Sequence, residues 1–171
     1  MRPVRRGGGW RTAVTAAALT PLFAAMCAAS GPPADPAYVT GSGALADDWQ
    51  NQRWLRAGVP PSDLVGLWQS VLWADGYLPK SAITCAYDTE TGGATRTWQG
   101  NHDLSADGIV GPASFGFAGR RLAQAPPWTV YRGEKYDLPL RRGRGGIYEV
   151  YDAGRFHGLR SDAVTLAVCR R

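Results

Sequence analysis

The sequence predicts an α+β fold in which a three-helix bundle precedes a small antiparallel β-sheet. Three observations carry this expectation. Leu64, Leu67, Trp68, Val71 and Leu72 recur at the i, i+3, i+4, i+7, i+8 spacing of a buried helical stripe. Two stretches 23 residues apart, "TCAYDTET" (Thr84–Thr91) and "DGIVGPAS" (Asp107–Ser114), align without a gap, and each leads into a helix-compatible segment. After Pro126-Pro127 the helical spacing gives way to short β-compatible runs.

The first thirty residues are read as a signal peptide. Arg2, Arg5, Arg6 and Arg11 precede an uncharged run from Thr12 to Ser30 that ends in small residues. Cleavage is expected between Ala29 and Gly31. A retained membrane anchor is the alternative, because the run is just long enough to span a bilayer. Residues 31–60 read as a Pro-, Gly- and Ser-rich linker with a short helix around Trp49 and Trp54.

Residues 61–125 should hold the three helices. The first ends at Asp75-Gly76, where glycine can take a left-handed conformation. The second is capped by Asp88 or Thr89 and turns Ala94, Thr95 and Trp98 inward. The third starts at Gly111-Pro112, since proline suits a first helical turn. Its stripe is Phe115, Ala118, Gly119 and Leu122.

Residues 128–171 should form the sheet, with a strand pair around the turn Asp152–Arg155 and a further half-buried strand through Val164, Leu166 and Val168. Of three cysteines, Cys85 and Cys169 remain after the leader is removed. An even number in an exported chain predicts a disulfide between them.

The two aligned stretches also carry a family resemblance. Val65, Gln69 and Leu72, with Trp68 in place of a leucine and Gly76-Tyr77 closing the segment, resemble the first helix of the peptidoglycan-binding type 1 domain. Thr84, Cys85, Tyr87, Asp88 and Thr91 stand at its first turn motif. Trp98-Gln99 replaces a Phe-Gln pair, and Leu104 with "DGIVGPAS" completes the pattern; Phe115 stands where tryptophan is usual. The resemblance covers residues 63 to 122. Thr84, Cys85 and Asp88 depart from the usual Asp, Gly and Gly. It implies a peptidoglycan-binding-like bundle that holds a glycan or stem peptide without catalysis.

Enzyme signatures are lacking in the sequence. The chain has two histidines, His102 and His157, and neither lies in an H-x-x-x-D or H-E-x-x-H arrangement. No metal and no cofactor are expected, and His102 should lie exposed at the end of the second helix. The cysteines lack a neighbouring base. Carboxylates such as Asp47-Asp48 and Glu134/Asp137 read as solvated acids.

No nucleic-acid partner is expected, because the basic balance is weak evidence for one: four leader arginines account for most of the formal +5 and leave the rest near +1. Basic residues concentrate in 128–171, so an anionic wall polymer is a second expected partner. The candidate ligand-binding residues are Trp73 and Tyr77, off or at the end of the helical stripe, and Tyr87, Asp107 and Gly108 at the two turns. Asp107 has the alternative role of turn capper. The expected protein is a secreted, cell-wall-associated monomer that binds peptidoglycan. The competing expectation is a protein-interaction or inhibitor module acting through the β extension.

Overall fold

The structure is a computed structural model and describes residues 37–170. The expected signal peptide 1–30 and the first residues of the linker lie outside the described residues. Three helices, α1 (Asp63–Ala74), α2 (Thr89–Asn101) and α3 (Pro112–Gly119), precede a five-stranded antiparallel sheet. Its strands are β1 (Leu122–Ala125), β2 (Trp128–Arg132), β3 (Asp137–Arg142), β4 (Tyr148–Asp152) and β5 (Arg155–Gly158), paired in chain order. The fold class is thus α+β, helices first.

Local chemistry sets the helix ends. The Ser62 hydroxyl accepts the Val65 N–H at the start of α1, and the Asp88 carboxylate accepts the Thr91 N–H at the start of α2. Pro112 opens α3. The α1 stripe is buried as expected, with Leu64, Trp68, Val71 and Leu72 at zero exposure. Trp68 meets Trp98 and Phe115 edge-on, with centroids 5.0 and 5.6 Å apart. Its indole N–H donates to Thr95 Oγ1 at 2.9 Å, so the polar edge is satisfied inside the core.

A second aromatic cluster joins the sheet to the segment before α1. Trp49 stacks on Tyr131 at 5.9 Å and meets Tyr148 edge-on at 5.7 Å. The described part of the 31–60 segment therefore packs rather than serving as a spacer: Val39 and Trp49 are fully buried. The Val39 N–H donates to Leu159 O and its carbonyl accepts from Tyr148 N–H. Local composition gave no sign of this, because the partners lie a hundred residues away. Trp54, the other tryptophan of the segment, is 61% exposed.

Two further expectations are corrected. Leu122 does not continue α3; its strand pairs with β2, Leu122 opposite Tyr131 and Ala125 opposite Trp128, so Pro126-Pro127 is a hairpin turn and the sheet starts six residues early. Leu122 is buried in either arrangement, so helical spacing alone could not separate them. The stretch 163–169 is not a strand. Asp63, buried at the start of α1, accepts the N–H groups of Thr165 and Leu166 and the Thr165 hydroxyl. These bonds turn the chain away from any ladder, and it ends in a 3₁₀ turn, Ala167–Arg170. Cys169 there bonds to Cys85 with Cα atoms 5.5 Å apart, as expected.

Three tyrosine hydroxyls are buried in hydrogen bonds: Tyr131 donates to Asp75 at 2.7 Å, Tyr148 to Asp48 at 2.6 Å and Tyr87 to Gly108 O at 2.8 Å. Burial pushes all three phenols above their usual range, and the carboxylates beside Tyr131 and Tyr148 add to it. The folded state keeps these protons when the unfolded chain would lose them. Stability is therefore present below pH 10 and falls above it, by about 1.4 kcal/mol per pH unit for each buried phenol. Alkaline titration should show their ionisation coinciding with loss of near-ultraviolet dichroism; gradual ionisation of all tyrosines with dichroism intact would contradict the burial.

Candidate functional site

The two aligned stretches are the same device built twice. Each is held by a glutamine from the preceding helix. Gln69 of α1 accepts the Thr84 and Cys85 N–H groups at 3.0 and 2.8 Å and donates to Ala86 O and Thr91 Oγ1, both at 2.9 Å. Gln99 of α2 accepts the Gly108 N–H at 2.9 Å and donates to Ile109 O and Ser114 Oγ at 2.9 and 3.1 Å. Both glutamines are buried, which explains the Gln that precedes each turn and the hydroxyl residue that ends it. Cys85 and Gly108 occupy equivalent positions, with φ of 60° and 74°. The turn thus requires the left-handed region, and the first copy meets it with a cysteine held by its disulfide.

Replacing Gln69 by leucine would strand the Thr84 and Cys85 N–H groups without their acceptor. A loss of about 2–3 kcal/mol is expected in denaturant unfolding; an unchanged midpoint would show that the clamp is dispensable.

The two turns face each other across a cavity of about 480 Å³. Tyr87, Asp107 and Gly108, three of the five candidate residues, line it together with Arg56, Asp88 and Arg96. The Arg96 side chain lies over Gly108, where a Cβ would come within 3.1 Å of its guanidinium. A glycine is needed there for space as well as for φ. Asp107 does serve as a turn capper: one oxygen accepts the Ile109 N–H at 2.8 Å and the Gln99 amide at 3.2 Å. The Tyr87 hydroxyl is also committed, to Gly108 O and Thr95, so Tyr87 supplies a wall rather than a polar contact.

Two acids, Asp88 and Asp107, and two bases, Arg56 and Arg96, line the cavity, and none of the four forms an ion pair among the described residues. The acids accept the Thr91 and Ile109 N–H groups of their own turns, which leaves the less engaged charges on Arg56 and Arg96. Sequence reasoning passed over both. Their one signal was position: Arg96 falls on the outward face of α2, four residues after Gly92, which also lines the cavity.

Trp73 and Tyr77 belong elsewhere. They line a separate concavity of about 400 Å³ with Lys80, Lys135 and Tyr136. The Trp73 ring stacks on Tyr136 at 4.9 Å, and the Tyr77 hydroxyl accepts from the Asn101 amide at 3.0 Å.

His102 is not exposed as expected; only 8% of its side chain reaches solvent. Its ring packs on Trp98 and Phe117, and its nitrogens contact Trp98 O at 2.7 Å and Glu134 at 3.0 Å. Asp75, His102 and Glu134 place one ligand atom each within 4.8 Å of one another. Their oxygens are already engaged. Asp75 accepts Trp98 Nε1–H, the Tyr131 hydroxyl and the Glu134 N–H, and Arg121 Nη1 lies 3.5 and 3.3 Å from the two carboxylates. This donor set does not fit a cation; it is a knot tying α1 and α2 to the sheet.

The arginines of the β region are also largely paired. Arg132 contacts Asp137, and Arg141, Arg142 and Arg160 contact Glu149, Asp48 and Asp162. Arg144, Arg155 and Arg170 form no ion pair among the described residues.

Comparison with protein-family models, curated proteins and solved structures returns no match to this chain. Among the described residues, no helix is long and apolar enough to cross a membrane.

Proposed function

We propose that this protein is an exported, non-catalytic binder of bacterial peptidoglycan, and that it receives a stem peptide in the cavity between the two glutamine-clamped turns. The observation that carries the reading is the pair of equivalent turns facing one cavity, with two unpaired guanidinium groups at its wall. A stem peptide offers carboxylates to Arg56 and Arg96, and small side chains to the wall formed by Tyr87 and the Gly92 and Gly108 backbones. Rigid clamping of both turns favours binding, because little order has to be imposed when the ligand arrives. The Cys85–Cys169 bond supports residence in an oxidising compartment.

Co-sedimentation with purified sacculi tests the reading. The protein should pellet with sacculi at moderate salt, and R56Q/R96Q should weaken retention about tenfold or more, corresponding to about 1.4 kcal/mol. Absence of sedimentation at both low and moderate salt would refute it. Equal retention of the double variant would remove this cavity as the site.

A further inference from the structure

A second binding surface lies at the junction of helix and sheet, one turn along α1 from the Gln69 clamp. A cavity of about 1130 Å³ opens there and is lined by Trp73, Lys80, Trp128, Tyr151, Asp152 and Phe156 among others. The smaller concavity of Tyr77, Lys135 and Tyr136 shares Trp73 and Lys80 with it, so the two form one surface with these residues as a common wall. Aromatic side chains are unusually open here: Tyr151 is 63% exposed, Tyr136 51% and Trp128 36%.

The charge on this surface is distinctive. The chain uses arginine for 17 of its 19 basic residues, and its two lysines, Lys80 and Lys135, both lie here. Neither lysine forms an ion pair among the described residues, whereas most arginines of the β region do. The Lys80 ammonium stands 5.6 Å from the Trp73 ring centroid.

We infer that this surface binds a polysaccharide strand whose sugars carry carboxylates. Aromatic side chains offer the flat apolar area on which the C–H faces of sugar rings settle, while Ser70, Ser81 and the Tyr151 hydroxyl provide polar partners at the edges. Two unpaired ammonium groups complement carboxylates spaced along the strand, against one acid on the lining, Asp152, which accepts the Ala167 N–H. An uncharged oligosaccharide would leave the lysines unused. A polynucleotide would meet only two cations, too few for a phosphate backbone to gain much affinity. The inference goes beyond the proposed stem-peptide site and stands whether or not that site is occupied.

Tryptophan fluorescence titration of the full protein tests it with four probes. These are glycan strands stripped of stem peptides so that their lactyl carboxylates are free, oligogalacturonate, neutral chitooligosaccharide, and oligouridylate. Stripped strands and oligogalacturonate should bind, with chitooligosaccharide and oligouridylate at least tenfold weaker. K80Q/K135Q and, separately, Tyr151→Ser should each weaken the two acidic glycans about tenfold; all three positions are exposed, so folding is spared.

Equal binding of the neutral glycan, tighter binding of oligouridylate, or indifference to both variants would overturn the inference. So would concentration-dependent dimerisation that buries Tyr151, because a second copy would then be the occupant. Oligogalacturonate binding without sacculus binding would support this surface while sinking the stem-peptide reading. Sacculus binding lost in R56Q/R96Q, with neither acidic glycan bound, would do the reverse.

Discussion

Asp75→Ala is expected to destabilise the protein by about 3–5 kcal/mol. No side-chain surface of Asp75 reaches solvent. One of its oxygens accepts both the Trp98 indole N–H and the Tyr131 hydroxyl, each at 2.7 Å, and the other accepts the Glu134 N–H at 2.9 Å. Alanine would leave two buried donors and the part-buried Glu134 N–H without acceptors, and the Arg121 guanidinium without its inner partner. The damage would fall on the seam between bundle and sheet, since Trp98 belongs to α2 and Tyr131 to β2. Asp75→Asn keeps one acceptor oxygen and should cost less, about 2 kcal/mol. Equilibrium denaturation of both variants checks the order. An alanine variant within 1 kcal/mol of the parent would mean that the seam is held by apolar packing alone.

Reducing the Cys85–Cys169 bond is expected to cost about 4–5 kcal/mol, because it releases a loop closed across 84 residues of sequence. The effect should sit mainly in the unfolded chain. In the folded state the tail remains tied by Asp63, which accepts the Thr165 and Leu166 N–H groups and the Thr165 hydroxyl. Circular dichroism of the reduced protein should therefore be close to that of the oxidised form, while its unfolding midpoint drops sharply. Cys169→Ser is the better genetic version, because Cys85 sits at φ 60° and a substitution there would perturb the first turn as well. Equal midpoints with and without reductant would show that the bond adds nothing beyond the Asp63 clamp.

What could be read from the sequence was whatever local chemistry decides. Asp88 and Pro112 act within a turn of themselves, so the starts of α2 and α3 were legible. The Asp152–Arg155 turn is equally local and sits between β4 and β5 as expected. The disulfide followed from having only two cysteines to pair. Features set by distant partners were not legible. Asp75 and Asp63 look like ordinary end-of-helix acids until Tyr131 and Thr165, 56 and 102 residues away, are placed against them. The strand expected through Val164 and Leu166 failed for the same reason: its backbone N–H groups are taken by a side chain. At the site, the turn residues Tyr87, Asp107 and Gly108 were found through their repeat, whereas Arg56 and Arg96 belong to no motif and only converge in space.

A nuclear magnetic resonance titration with a soluble stem peptide would show whether the paired turns form one binding cavity. The expected result is saturable movement of the backbone amides of Gly92, Gly108 and Ile109, around the cavity walled by Arg96, with the amides of Tyr136 and Tyr151 unmoved. No movement at any of these amides, or movement confined to Tyr136 and Tyr151, would contradict it.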